Sequence, residues 1–225
     1  MVRTLYKYRF GIFLATQLLI LFGSLLVSHG FYEQFLLPIL LVLNIGAGIL
    51  MVSRDKGRTW LLLSLFLIIL LSIVIDMILG IGGKGGESLL FLAYFLFHIL
   101  LTFRMIGQVW KESVVDNKVI MGLISGYISL GFLAFFMFST IELWTPGSFG
   151  GAILEGNGSF DIKSDSIMYY AYITLLTIGY GEIVPVTPLA QKAAVLVGLT
   201  GQLYIAIITA VVVEKYIRTL HRTKT

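Results

Sequence analysis

Between Thr174 and Pro185 the chain reads Thr-Leu-Leu-Thr-Ile-Gly-Tyr-Gly-Glu-Ile-Val-Pro. The chemistry open to such a stretch is that of its backbone. Gly179 and Gly181 flank Tyr180, and Thr174 and Thr177 stand upstream. Glycine reaches φ > 0 at no steric cost. A segment whose backbone twist alternates can aim successive carbonyl oxygens to one side, and a stack of carbonyls can replace the water shell of a cation. A bare Gly-Tyr-Gly is also common in surface loops, so its flanks decide its meaning. Other chemistry is scarce. The chain has no cysteine, hence no disulfide framework and no thiolate metal site. His29, His98 and His221 are the available imidazoles, and neither His-Glu-x-x-His nor Gly-x-Ser-x-Gly occurs. An integral membrane enzyme is the alternative from another class, and the residues argue against it.

The flanks are those of a membrane protein. Hydrophobic residues make up 58% and charged residues 12%, with mean hydropathy +0.95. Soluble domains carry about a quarter charged residues. A spanning helix needs about 20 mostly apolar residues. Six segments meet that need, roughly 10–28, 35–52, 60–80, 88–107, 119–142 and 188–213. Turn chemistry separates them at Ser28-His29-Gly30, at 53–57 and in the glycine-rich stretch 80–86. The expected fold class is an all-α membrane protein of six transmembrane helices plus a re-entrant pore helix.

Charge sets the orientation. With a cytoplasmic N-terminus, of 16 Lys and Arg only Lys84, Lys163 and Lys192 fall outside. Glu33, Glu87, Glu142, Glu155, Asp161, Asp165 and Glu182 also fall outside. This is the positive-inside pattern, with both termini cytoplasmic. The net charge of +4 is therefore a topology signal, and nucleic acid is not an expected partner. Arg3, Lys7 and Arg9 before an apolar run resemble a signal peptide. The run is longer than a typical h-region and no small-x-small cleavage site stands out, so it reads as the first spanning helix.

An apolar piece at about 166–176 is too short to span, and Gly179 and Gly181 break the backbone beyond it. Irregular backbone survives at membrane depth only when buried in protein or lining a watery path. A short helix entering from outside, with an extended return after it, meets that condition. Its expected start is near Asp165, with Ser164, Asp165 and Ser166 as able caps. Its C-terminal end, near Leu176, would point into the membrane with a partial negative charge that favours a cation. The last helix is expected to start at Pro188 with Thr187 as its cap.

The run Thr174-Leu-Leu-Thr177-Ile-Gly-Tyr-Gly181 resembles the signature of potassium channels, Thr-x-x-Thr-x-Gly-Tyr-Gly. The resemblance covers about 165–213, and before residue 119 only the helix count agrees. It implies a six-helix, single-pore-loop chain that closes a ring as a homotetramer in the cell (plasma) membrane. It implies K⁺ sites at Thr177, Ile178, Gly179 and Tyr180, with Gly181 completing the filter, and no organic cofactor. A non-selective cation channel, or the pore subunit of a potassium uptake transporter, is the alternative nearer at hand. Domains are expected at 1–112, four helices in the position of a voltage sensor, and 113–225, the pore. The pore would comprise an outer helix 119–142, a turret 143–164, a pore helix 165–176, the filter 177–181 and an inner helix 188–213. The turret reads as glycine-rich, without chemistry of its own.

Several residues depart from the family pattern. Tyr169, Tyr170 and Glu182 stand where many members have two tryptophans and an aspartate, so a hydrogen-bonded cuff behind the filter would have another geometry. Plain apolar packing is the other reading of the two tyrosines. Thr174 is a further support residue. Leu176 replaces a frequent threonine and offers no hydroxyl at the cavity end. Gly201 matches the family's hinge glycine, which turns Gln202, Ile205, Thr209 and Val213 toward the axis as cavity and gate residues. Gly198 reads as a packing glycine.

In the first four helices Gln17, Asn44 and His98 lie at similar depth, as hydrogen-bonding glue or, for His98, as a proton sensor. Asp76 and Arg104 lie near opposite ends and should not pair. The chain ends soon after the last helix, so gating by an attached nucleotide- or calcium-binding module is not expected. The basic residues near its end, with Tyr216, fit an anionic lipid surface at the cytoplasmic face. A voltage-sensing fourth helix needs arginine at every third position, and the segment 88–107 holds only Arg104. Open probability in a planar bilayer should therefore stay nearly flat as voltage is stepped; a steep sigmoid would refute this reading of the first four helices.

Overall fold

The computed structural model describes residues 8–52, 56–79, 84–111, 117–151 and 160–222. The expected turns at 53–55 and 80–83, the middle of the turret at 152–159 and the expected domain boundary near 112 lie outside them. The side chains of Glu33, Asp76, Glu87, Asp161 and the C-terminal basic residues also lie outside what is described.

Most of the described chain is helical. α1 is Arg9–Phe22, closed by a 3-10 turn at Gly23–Leu25. A helical turn at His29–Phe31 and a π-helical stretch at Tyr32–Leu36 lead into α2, Leu37–Val52. Pro38 has no N–H to give to residue 34, and its ring crowds that carbonyl, so the widened turns just before it have a local cause. α3 is Lys56–Leu79, α4 Lys84–Lys111 and α5 Asn117–Trp144. β1, Phe149–Gly150, precedes α6, Phe160–Leu175. β2, Val184–Pro185, precedes α7, Pro188–Arg222.

Among the described residues, three helical stretches are long and apolar enough to cross a membrane: Leu89–Gly107, Val119–Trp144 and Pro188–Glu214. Shorter apolar helices at Arg9–Leu25, Leu37–Met51 and Trp60–Leu71 fall where the other three spans are expected. Two expectations need correction. α6 begins at Phe160, not near Asp165, because nothing after Gly158 breaks a helix; Ser164, Asp165 and Ser166 are inside it. The fold is also not purely helical, since β1 and β2 form an antiparallel pair.

The chain falls into two compact units. One gathers Met1–Phe66, Leu100–Ser129 and Val212–Thr225. Phe10, Phe13, Ile45, Met51, Leu62, Leu101 and Met105 are buried there. Lipid gives helices no hydrophobic reason to associate, so buried polar bonds and close packing must hold them. Gln17 on α1 donates from Nε2 to the Ser129 hydroxyl at 2.7 Å and to the Ser125 carbonyl at 3.2 Å, both on α5. Asn44 on α2 donates to the Thr16 hydroxyl at 3.0 Å. Tyr32 donates to the terminal carbonyls of α1, Leu19 and Ile20. Gln17 and Asn44 thus act as glue, each with its own partner.

The second unit gathers Leu67–Ile99 and Leu130–Val211. His98 belongs to it and is no polar glue there. Its ring lies 5.4 Å from that of Phe132, 5.5 Å from Phe136 and 5.6 Å from Phe97, and its buried Nδ1 has no hydrogen-bond partner among the described residues. Phe132 in turn meets Tyr172 of α6 edge-on at 6.0 Å. Gly131 leaves room for that ring: a Cβ there would overlap it.

α7 is buried along one stripe, Ala190, Ala193, Val197 and Gly201, at helical spacing. These small side chains let its backbone approach α6 closely. The packing role expected of Gly198 falls instead to Gly201. A Cβ on Gly201 would overlap the Leu175 carbonyl oxygen, whereas one on Gly198 would meet nothing nearer than the Thr174 carbonyl at 3.9 Å. Gly201→Ala should therefore lower the thermal stability of the purified protein by roughly 1–3 kcal/mol, the range for overpacking. Gly198→Ala should be neutral or mildly stabilising, because alanine is the better helix former. Equal melting shifts for the two variants would refute the assignment.

Candidate functional site

α6 ends in a way that aims the backbone beyond it. Thr177 N–H donates to the Thr174 carbonyl at 3.0 Å, and Ile178 N–H to the Ile173 carbonyl at 2.9 Å. This is the Schellman arrangement, which needs a left-handed residue at the position of Thr177. Thr177 has φ +57°, in the region where glycine is usual. Left-handed backbone costs an ordinary residue roughly 1–2 kcal/mol, and a β-branched one is a clear outlier. Thr177 was expected to help form a K⁺ site, but its left-handed backbone was not expected. The signal was there: a helix ending with no glycine until Gly179.

Past the cap the twist alternates. Gly179 has φ +57° and Gly181 φ +91°, while Ile178 and Tyr180 are not left-handed. Left-handed residues thus stand at 177, 179 and 181, with others between. A Cβ at Gly179 or Gly181 would meet nothing within 4 Å, so their backbone angles, not crowding, require glycine. Residues 176–181 are all exposed in the single chain.

The return strand is anchored from outside. Glu142, near the end of α5, accepts from Gly147 N–H at 2.8 Å through Oε1 and from Phe149 N–H at 3.2 Å through Oε2. That fixes the loop which β1 continues, and Phe149 pairs with Pro185 and Gly150 with Val184. Ser148 adds its carbonyl, accepting from Val186 N–H at 2.8 Å. Gly151 lies so close to Glu182 that a Cβ would overlap its carbonyl oxygen. The start of the expected turret is therefore a brace for the segment after Gly181. Sequence reading missed it because a two-residue strand has no periodicity to detect. Thr187 accepts from Ala190 N–H at 3.4 Å, the expected cap of α7.

The two tyrosines behind this segment behave differently. The Tyr169 phenol donates to Glu182, and that bond, ahead of burial, pushes its pKa up to about 12. Tyr170 does not join it. Its ring packs 5.2 Å from Phe138 and 5.3 Å from Phe149, and its hydroxyl bonds the Thr174 side chain. Neighbouring helix residues point about 100° apart, so both could not face Glu182. Of the other expected support residues, Thr174 caps the helix through its carbonyl, and Glu182 keeps a buried Oε1 with no hydrogen-bond partner among the described residues. Among the expected cavity residues Gln202 reaches the segment, donating to the Thr177 hydroxyl at 2.8 Å. Ile205, Thr209 and Val213 are exposed along α7, and Gly201 is buried.

Residues 123–218 match the model of a family described as ion channel. The proteins named potassium voltage-gated channel subfamily A member 10 from Mus musculus and from Homo sapiens are each 30% identical over 119 residues, 53% of this chain and 20% of theirs. The chain thus spans a fifth of the length of these curated relatives. No solved structure matches. Over residues 123–218 the chain is therefore similar to ion channels, and its described helices include three long and apolar enough to cross a membrane.

The Tyr169–Glu182 bond needs a protonated phenol. A phenol whose folded pKa is raised contributes fully below the ordinary tyrosine value and fades only as pH rises through the shifted one, about 12. Sustained current should therefore be equally stable at pH 7 and pH 9 as far as this bond is concerned. Tyr169→Phe should make current through the reconstituted protein decay faster at both. Decay unchanged by Tyr169→Phe would remove the bond from any role in holding the segment.

Proposed function

We propose that this chain is one subunit of a K⁺-selective channel, in which four copies surround a single passive pathway in the plasma membrane. The observation that carries the reading is the alternation of left-handed residues at 177, 179 and 181 directly after the C-terminus of α6. Alternation of this kind lines up the carbonyls of Thr177, Ile178, Gly179 and Tyr180. One carbonyl from each copy at every layer makes a cage that compensates K⁺ for lost water, and several cages in series keep binding weak enough for exit. The α6 C-terminus adds a partial negative charge where the ion leaves the cavity.

The exposure of the segment supports the assembly. Tyr180 is 72% exposed in the single chain, and irregular backbone cannot face lipid. Neighbouring copies would cover it, with the Tyr180 side chain directed away from the axis to hold the width of the pathway. The apolar outer face of α7, including Leu196, Leu199 and Leu203, would be covered in the same way. The reading extends to six spans, both termini cytoplasmic, the first four helices as a scaffold, and Glu182 among the acids that concentrate cations at the outer mouth. The relatives named as potassium channels agree with it over about half of this chain.

Liposomes holding the purified protein under a K⁺ gradient test the proposal. A reversal potential that tracks K⁺ and ignores Na⁺, with block by Ba²⁺, is the expected result. Equal permeability to Na⁺ would replace it with a non-selective cation pore, and a purified species other than a tetramer would overturn the assembly.

A further inference from the structure

The geometry points to Gln202 as a positioning residue for the innermost ion site, acting by fixing which face of the Thr177 hydroxyl meets the ion. This rests on the K⁺-channel reading proposed above. The Thr177 hydroxyl makes two hydrogen bonds. It donates to the Leu176 carbonyl at 2.7 Å and accepts from Gln202 Nε2 at 2.8 Å. A hydroxyl has one proton and two lone pairs. Its proton is spent on Leu176, so its second partner must be a donor, which is why the amide nitrogen of Gln202, and not its oxygen, faces Thr177. One lone pair is then left. The hydroxyl can offer a passing cation only that lone pair and never its proton.

Two features make the contact a device of this chain rather than incidental touching. Thr177 occupies the left-handed cap of α6, a backbone state that needs support from its surroundings. The residue before Gln202 is Gly201, which lets α7 come against the Leu175 carbonyl closely enough for the amide to reach a residue 25 positions earlier in the chain. Leu176 leaves the cavity end without a second hydroxyl, and Gln202 brings a polar group there from the inner helix. A small displacement of α7 breaks a 2.8 Å bond at once, so the position of the inner helix is read out at the ion site.

The test uses the full-length channel in bilayers and Ba²⁺ applied from the cytoplasmic side, a divalent ion close to K⁺ in size that lodges where carbonyl and hydroxyl oxygens converge. Gln202→Met keeps length and removes the donor. It should weaken block by roughly fivefold, the worth of one ordinary hydrogen bond. In a Thr177→Cys background, where sulfur is a weak acceptor, adding Gln202→Met should change block no further. Unchanged block in Gln202→Met, or the same loss in both backgrounds, overturns the inference while leaving the channel reading intact. A Gln202→Met protein that fails to assemble also overturns it, since an exposed side chain that only orients a hydroxyl is not needed for assembly. Absence of selective K⁺ flux in the unaltered protein would instead sink the reading on which it rests.

Discussion

A backbone N–H or C=O inside hydrocarbon must find a partner within the protein or face water. Most of this chain meets that demand by being helical. The stretch from Leu176 to Thr187 cannot, and the second unit is arranged around that exception. α6 ends in a cap that uses two carbonyls of its last turn. β2 is matched by β1, and the Ser148 carbonyl takes the next N–H. Between these two anchored ends lies the alternating segment, whose carbonyls accept no hydrogen bond among the described residues, and it is the part that conducts in the proposed function.

The anchors differ in strength and in kind. At the inner end a β-branched residue sits in left-handed backbone, an unfavourable state held by a two-bond hydroxyl. At the outer end a carboxylate, Glu142, binds two backbone N–H groups, and charge-assisted bonds of that sort are stronger than neutral ones. The inner end is therefore the softer of the two, and Gln202 of α7 reaches it through the Thr177 hydroxyl.

Packing in the second unit relies on shape more than on polar bonds. Phe132, Phe136, Tyr94 and His98 form one aromatic group, with the Tyr94 and Phe136 rings stacked at 5.0 Å. Gly131 and Gly201 are places where a methyl group does not fit. The other unit holds its helices with amide and hydroxyl contacts at Gln17 and Asn44. Both are solutions to the same problem, since neither unit gains from hiding apolar surface from an apolar solvent.

Features that depend on composition and local chemistry were legible along the chain. Apolar runs of the right length marked the helices, Thr187-Pro188 marked the start of α7, and two glycines around Tyr180 marked the broken segment. It was equally legible that Glu182 could accept from a tyrosine, but not from which one. That choice belongs to the rotation of α6, which turns Tyr169 toward Glu182 and Tyr170 into the rings of Phe138 and Phe149. Folding likewise made Gly201, not Gly198, the close-packing glycine, because only the seating of α7 on the Leu175 carbonyl distinguishes them. Folding also put Thr177 in left-handed backbone, brought Gln202 against it and paired the loop after α5 with the return strand. Each of these joins residues far apart in the chain or a backbone angle set by its surroundings, and no local pattern of side chains encodes either.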